Sequence, residues 1–223
     1  MKARRAATAR SFAAFGPLLA TVLLGTGCAS GAFDSDQPYL QVYVLSSVPA
    51  VPDAPALAAD VSVVRPLVRP GLDTDRIAVL YPDRRLDYFA RSRWGGTTDL
   101  VVQSLLVESL RNASGVRSVQ GDSSAFSADH VLQTEITDFQ AEYREGGGAP
   151  EAHVRYIVTL GRFADRRPLA SFVAEARVPA ASNTLGDVIA AFDEASRQAA
   201  TSVVERLRAT VSTPVAQDSV PSQ

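Results

Sequence analysis

A strict alternation of side-chain character near residue 155 is the strongest constraint on the fold of this chain. The apolar positions are Ala152, Val154, Tyr156, Val158 and Leu160, and they alternate with His153, Arg155, Ile157 and Thr159. Because successive side chains of a β-strand point to opposite faces, this pattern predicts a strand with one buried face. That face has to be covered by another layer of the protein.

The flanking segments predict two more strands beside this one. His130 to Tyr143 is typical of a long strand, with a register change before Phe139. Phe172 to Val178 repeats the alternation after a turn at Asp165 to Pro168. The three consecutive glycines within Glu145 to Pro150 indicate a flexible turn. We therefore expect the three strands to form an antiparallel meander.

The first half of the domain predicts shorter strands. Pro49, Pro52 and Pro55 exclude a helix or a central strand from Ser46 to Ala59, so this segment is predicted as a loop, and Ser92 to Gly96 as a second one. Pro82-Asp83 separates two apolar runs and predicts a hairpin. The strands predicted here are Tyr39 to Leu45, Val61 to Val64, Arg76 to Tyr81, Arg84 to Ala90 and Val116 to Gln120.

Two helices complete the predicted domain. Thr97 or Thr98 can cap a helix that runs to about Asn112. Asn183 or Thr184 can cap a longer final helix. The expected apolar positions are Leu100, Val101, Leu105, Leu106 and Leu110 in the first, and Leu185, Ile189, Phe192, Ala199, Val203 and Leu207 in the second. We predict a single α+β domain over residues 39–211, a mostly antiparallel sheet with two helices packed on one face, followed by a disordered tail over 212–223.

The N-terminus predicts export. Four basic residues lie within the first ten, and an uncharged apolar run follows from Phe12 to Leu24, so residues 1–27 are predicted to be a signal peptide. Leu24 to Cys28 resembles the bacterial lipobox, which implies cleavage before Cys28 and lipid attachment to its thiol. Residues 28–38 then form a lipidated tether. The alternative is an ordinary secreted protein, but Cys28 is the one cysteine of the chain and has no disulfide partner.

The charge of the mature chain and the residues that follow Cys28 predict its partners and its membrane. Four of the 22 basic residues and none of the 24 acidic ones precede residue 28, which leaves 18 basic residues against 24 acidic ones. An acidic surface argues against nucleic acid as a partner. Ala29 and Ser30 differ from the aspartate that retains lipoproteins in the inner membrane of enteric-type bacteria, so we expect an outer-membrane lipoprotein facing the periplasm.

The chain lacks the sequence motifs of an enzyme. It contains two histidines, His130 and His153, and neither has cysteine or histidine partners at metal-ligand spacing, so no metal or other cofactor is predicted. It has no Gly-x-Ser-x-Gly motif, and Gly146 to Gly148 is not followed by the residues of a phosphate loop. Both histidines are interpreted as surface or strand-edge residues, and a tethered hydrolase that uses them is the alternative.

The block from Val63 to Leu110 resembles the auxiliary lipoproteins of ABC-type transport systems, which include the PqiC-like proteins. The matching segments are Val64-Arg65-Pro66, Arg69-Pro70-Gly71-Leu72-Asp73, Ile77-Ala78-Val79-Leu80, Leu86-Asp87-Tyr88 and Arg93-Trp94 ahead of Asp99-Leu100, with Tyr43-Val44-Leu45 upstream. The similarity covers most of residues 39–211.

The resemblance implies a non-enzymatic subunit of an Mce-type lipid transport or envelope-maintenance system. Its expected partners are an Mce-domain protein, a permease and an ATPase, with a homo-oligomeric ring as a further expectation from the family. The expected partner-binding residues are Arg69, Asp73, Tyr88, Arg93 and Trp94. Trp94 has two interpretations, an interface anchor or a core residue between hairpin and helix. An outer-membrane assembly lipoprotein is the other alternative function.

Overall fold

The computed structural model describes residues 39–52, 55–121, 124 and 126–212. The predicted signal peptide, the lipidation site at Cys28, the tether to residue 38 and residues 213–223 of the predicted tail lie outside the described residues. No helix within the described ranges is both long enough and apolar enough to cross a membrane.

Nine strands and two helices make up the described part of the chain. In chain order they are β1 Gln41–Tyr43, β2 Leu57–Val63, β3 Leu67–Val68, β4 Arg76–Leu80, β5 Leu86–Trp94, α1 Thr98–Ala113, β6 Val116–Gly121, β7 His130–Glu142, β8 Glu151–Arg162, β9 Pro168–Pro179 and α2 Leu185–Ser212. The two helices contact each other and pack on the same face of the sheet. This arrangement confirms the predicted α+β class.

Strand β7 is the centre of the sheet. Strand β8 pairs antiparallel along its whole length, and β9 pairs antiparallel with β8, which confirms the predicted meander. The other edge of β7 is shared by β2, β3 and β4, which pair with it in parallel one after another. Strand β6 extends the sheet from β2, and β5 and β1 extend it from β4. The sheet is therefore mixed, with its longest pairings antiparallel.

A β-bulge in β7 reverses the facing of its side chains. Ile136 pairs with Tyr156 and Asp138 pairs with Arg155, so Thr137 is an extra residue on β7. Before the bulge Leu132 and Ile136 point toward the helices, and after it Phe139 does. The predicted register change before Phe139 is confirmed.

An aromatic cluster joins the sheet to α2. The ring centroids of Trp94 and Phe139 lie 5.6 Å apart, those of Trp94 and Phe192 5.2 Å, and those of Phe139 and Phe192 5.4 Å. All three side chains are at most 1% exposed. Because each ring comes from a different element, the cluster ties β5, β7 and α2 together.

Several predicted strand and loop boundaries were wrong, because pairing with strands distant in sequence extends β2 and β5. Strand β2 begins at Leu57, inside the predicted loop, because that residue pairs with Val116 of β6. Strand β5 continues to Trp94, through part of the predicted 92–96 loop, because β1 and β4 both pair with its end. In α1, Leu105, Leu106 and Leu110 are buried as expected, but Leu100 is 40% exposed.

The aromatic cluster gives a stability prediction. We expect Phe192→Ala to lower the free energy of unfolding by about 3 to 5 kcal/mol, because it removes a fully buried ring and leaves a cavity beside two others. Leu100→Ala is the control and should lower it by clearly less than Phe192→Ala, because 40% of this helical residue is exposed to solvent. Urea unfolding followed by circular dichroism measures both. Equal losses for the two variants would contradict the assigned core.

Candidate functional site

The sheet face opposite the helices, called the outer face below, carries a compact group of polar residues. After the bulge, β7 presents Asp138, Gln140 and Glu142 on this face. Strands β8 and β9 place their outward residues beside them in register, so that a three-by-three array forms. We use the term His153 cluster for seven of its members: Asp138, Gln140, Glu142, His153, Arg155, Glu175 and Arg177.

His153 occupies the centre of this array and is only 3% exposed. Its Nδ1 atom lies 2.8 Å from Glu142 Oε1, and its Nε2 atom lies 2.8 Å from Glu175 Oε1. Asp138 Oδ1 is a further neighbour, 3.8 Å from Nδ1. The imidazole is therefore held between carboxylates on both sides. The prediction that His153 points away from the helices is confirmed, but the prediction that it lies at the surface is wrong, because its side chain is buried.

Two arginines balance the charge of these carboxylates. Arg177 Nη1 donates to Glu142 Oε2 at 2.8 Å, and Arg155 Nε lies 3.2 Å from Glu175 Oε2. Burial alone raises the pKa of Glu142, but hydrogen bonds from His153, Arg177 and Gln140 outweigh it and the net pKa is lowered. Burial likewise raises the pKa of Glu175, but the hydrogen bond from His153 and the charges of Arg155 and Arg177 outweigh it, so the net pKa is lowered.

The expected partner-binding residues lie around β3 and the β4–β5 hairpin, and Arg69 is the one that contacts the His153 cluster. Arg69 Nη1 donates to the carbonyl oxygen of Thr137 at 3.2 Å and lies 3.7 Å from Asp138 Oδ1, so it joins the bulge to the His153 cluster. Tyr88 is half-buried and donates to the carbonyl oxygen of Gly71 at 2.8 Å. Asp73 is exposed in the turn before β4.

Arg93 and Trp94 are neighbours in sequence but point in opposite directions from β5. The Arg93 side chain is 46% exposed and lies 3.5 Å from an Asp75 oxygen. The Trp94 side chain is 1% exposed and belongs to the aromatic cluster. This burial favours the core interpretation of Trp94, because its indole presents almost no surface to a partner.

His130 lies at the opposite end of β7 from the His153 cluster, where it pairs with Arg162. Burial lowers its pKa, against the opposing effect of Asp129. The structure therefore does not bring the two histidines together. Sequence reasoning missed the cluster around His153 because the carboxylates reach it only through the bulge and the strand register. The predicted register change before Phe139 was the one signal that could have located it.

The lowered carboxylate pKa values predict a pH-dependent contribution to stability. We expect Glu142→Gln to lower the free energy of unfolding at pH 7 by about 1 to 2 kcal/mol, because it removes charged hydrogen bonds to His153 and Arg177. A carboxyl group whose pKa is lowered by folding stabilises the native state above its ordinary pKa, near 4.5, and that stabilisation is lost as the pH falls through the lower folded value.

The difference between the wild type and Glu142→Gln should therefore narrow below about pH 4.5. Glu135→Gln, an exposed change on the same strand, is the matched control and should have little effect at either pH. Urea titrations at pH 7 and pH 4 measure both variants. A difference independent of pH would show that Glu142 acts through packing alone.

Comparison with known proteins identifies the family of the chain. The model of the ABC-type transport auxiliary lipoprotein component family matches residues 43–204. Among solved structures, protein XCC0632 from Xanthomonas campestris has a TM-score of 0.70 at 22% identity, covering 76% of this chain and 95% of that one. A second crystal structure, of an uncharacterized protein, has a TM-score of 0.60 at 12% identity, covering 76% and 99%. Both show a shared fold.

No curated protein sequence matches the chain. The family match begins at the last residue of β1, covers β2 to β9 and α1, and ends within α2, so it includes the aromatic cluster and the His153 cluster. The chain belongs to the family of ABC-type transport auxiliary lipoprotein components.

Proposed function

We propose that this protein is a periplasm-facing lipoprotein and a non-enzymatic auxiliary subunit of an Mce-type lipid transport or envelope-maintenance system. The observation that carries the proposal is the family match over residues 43–204. Its expected partners are an Mce-domain protein, a permease and the ATPase that drives transport. The acidic balance of the mature chain supports a protein partner over nucleic acid.

The anchor in this proposal is lipid on Cys28 in the outer membrane. Several acyl chains on one residue hold a protein firmly, since each buried methylene group contributes about 0.8 kcal/mol and two chains suffice. The tether over residues 28–38 then lets the folded domain stand away from the membrane surface. From that position the domain can reach components that extend from the inner membrane.

The proposed contact surface is the region around β3, the β4–β5 hairpin and the outer face. Asp73 and Arg93 offer exposed charges there, and the Arg69 side chain is 60% exposed beside the His153 cluster. Leu67 lies on β3, which pairs with β7, and it is 73% exposed, so it adds an apolar side chain to this surface. Exposed apolar side chains rimmed by charges are typical of protein interfaces. Tyr88 donates to the carbonyl oxygen of Gly71, and Trp94 packs in the aromatic cluster, so both hold the hairpin in place.

Self-association into a ring is part of the same proposal. Strand β9 pairs with β8 and with no other strand of the described chain, so its second edge presents unpaired backbone groups over twelve residues. Strands β1 and β6 also end the sheet on their sides. An open strand edge is a template for pairing with another chain. Copies of this protein could therefore join edge to edge.

Affinity purification tests the transport assignment. From detergent-solubilised envelopes, a C-terminally tagged chain should recover an Mce-domain protein, a permease or an ATPase, identified by mass spectrometry together with their ratio. We expect the double variant Asp73→Arg, Arg93→Glu to recover at least about tenfold less of these partners, because reversed charges at an interface repel the partner.

Arg206→Glu is the matched control for this double variant, since it reverses an exposed charge on helix α2 in the layer opposite the outer face. Equal recovery with both variants would contradict the proposed contact surface. Recovery of the chain alone, where a known envelope complex survives, would contradict the transport function and leave an assembly lipoprotein or a tethered hydrolase.

Substitution of the cysteine tests the anchor separately. We expect Cys28→Ser to appear in the soluble periplasmic fraction and to incorporate no radiolabelled palmitate, because the thiol that accepts lipid is gone. The wild-type chain should sediment with outer membranes and carry the label. Membrane retention of Cys28→Ser at the wild-type level would rule out lipid on this residue as the anchor.

A further inference from the structure

The His153 cluster has an arrangement of donors and acceptors that calls for a cation. A carboxylate can only accept hydrogen bonds, and a neutral imidazole has a single N–H to donate. Both ring nitrogens of His153 nevertheless lie 2.8 Å from a carboxylate oxygen. One N–H satisfies one carboxylate, so the other nitrogen needs a proton or a metal ion between it and the second carboxylate.

When a metal ion lies on the Nδ1 side of the ring, the surroundings favour Nε2 as the nitrogen that keeps its proton. Nε2 faces Glu175 Oε1, and the other oxygen of Glu175 lies 3.2 Å from Arg155 Nε, which holds the carboxylate in place. A histidine that binds a metal through one nitrogen commonly donates its second N–H to a carboxylate in this way. The lone pair of Nδ1 is then directed toward Glu142 and Asp138.

Glu142 and Asp138 each direct one carboxylate oxygen toward His153, and the other oxygen of each accepts a hydrogen bond. Glu142 Oε2 accepts from Arg177, and Asp138 Oδ2 accepts from Thr137 Oγ1 at 2.9 Å. The inner oxygens, Glu142 Oε1 and Asp138 Oδ1, both accept from Gln140 Nε2, at 2.8 and 3.1 Å. Their orientation is therefore supported by hydrogen bonds, as is usual for carboxylates that bind a metal.

We propose that Asp138, Glu142 and His153 form a Zn²⁺ site on the outer face of the sheet. One ligand atom from each of the three residues lies within 4.8 Å of the others. Zinc bonds to histidine nitrogen and carboxylate oxygen are about 2.0 to 2.2 Å long, so tetrahedral ligands lie roughly 3.3 Å apart. The observed Nδ1 distances of 2.8 Å to Glu142 and 3.8 Å to Asp138 lie on either side of that value.

Zinc fits the site better than the hard cations of the envelope. Calcium and magnesium select sites made of oxygen atoms, whereas an imidazole nitrogen combined with two carboxylates is suited to zinc. Three protein ligands leave the fourth tetrahedral position for water. The bound ion would link β7 to β8 where the bulge ends, beside the Arg69 contact. The proposal concerns the folded domain itself and does not depend on the transport assignment.

Zinc titration of the mature chain tests the site. The protein is the untagged chain from residue 28 in a Cys28→Ser background, because the one thiol would itself bind zinc. After treatment with a chelator, zinc is added at pH 7.5 in competition with a chromophoric chelator. We expect one equivalent to bind, to raise the thermal unfolding midpoint, and to resist competition by millimolar magnesium.

Matched variants locate the ion. His153→Ala and Asp138→Asn should each weaken zinc binding by at least about tenfold, and Glu175→Ala, which removes the partner of Nε2, by about 10- to 100-fold. His130→Ala is the control and should bind as the parent does. Cobalt offers a second readout, because a tetrahedral site gives intense visible absorption that His153→Ala should abolish even if its stability also changes.

The absence of zinc-dependent stabilisation and of a cobalt spectrum in the parent chain would overturn the proposal and assign a proton to the space between His153 and Glu142. Binding that survives equally in all three cluster variants would also overturn it, since the ion would then lie elsewhere. Loss of binding only in His130→Ala would have the same meaning.

Discussion

The bulge at Thr137 is the feature on which the rest of the structure depends. A strand without it would present Asp138, Gln140 and Glu142 to the helices and expose Phe139. Because one extra residue shifts the alternation, Leu132 and Ile136 before the bulge and Phe139 and Ala141 after it all lie on the helix side. The same shift gathers the polar side chains beside His153. A single irregularity therefore sets the composition of both faces of the sheet.

The aromatic cluster and the His153 cluster are the two consequences of that shift. On the inner face, Phe139 meets Trp94 and Phe192, which joins the hairpin strand β5 to helix α2. On the outer face, partly buried charges are tolerated because each carboxylate has an arginine, histidine or amide partner. The first cluster stabilises the domain by burial of apolar area, and the second provides a polar surface whose geometry is held by hydrogen bonds.

The proposed role in transport uses the part of the domain that the helices leave free. The outer face and the hairpin carry the exposed charges Arg69, Asp73 and Arg93, while both helices pack on the inner face. The proposed Zn²⁺ site lies next to Arg69, so an ion bound there would also influence the local charge of the contact surface.

The amino-acid sequence by itself determined the α+β class, the β7–β8–β9 meander, the hairpin, both helices and the register change before Phe139. Each of these follows from hydrophobic periodicity or turn residues, which act over a few neighbouring positions. Only the tertiary structure decided that β2, β3 and β4 share one edge of β7, that Trp94 lies in the core, and that His153 is buried among carboxylates. Parallel pairing and side-chain burial depend on residues far apart in the chain, and no local pattern encodes which of them will meet.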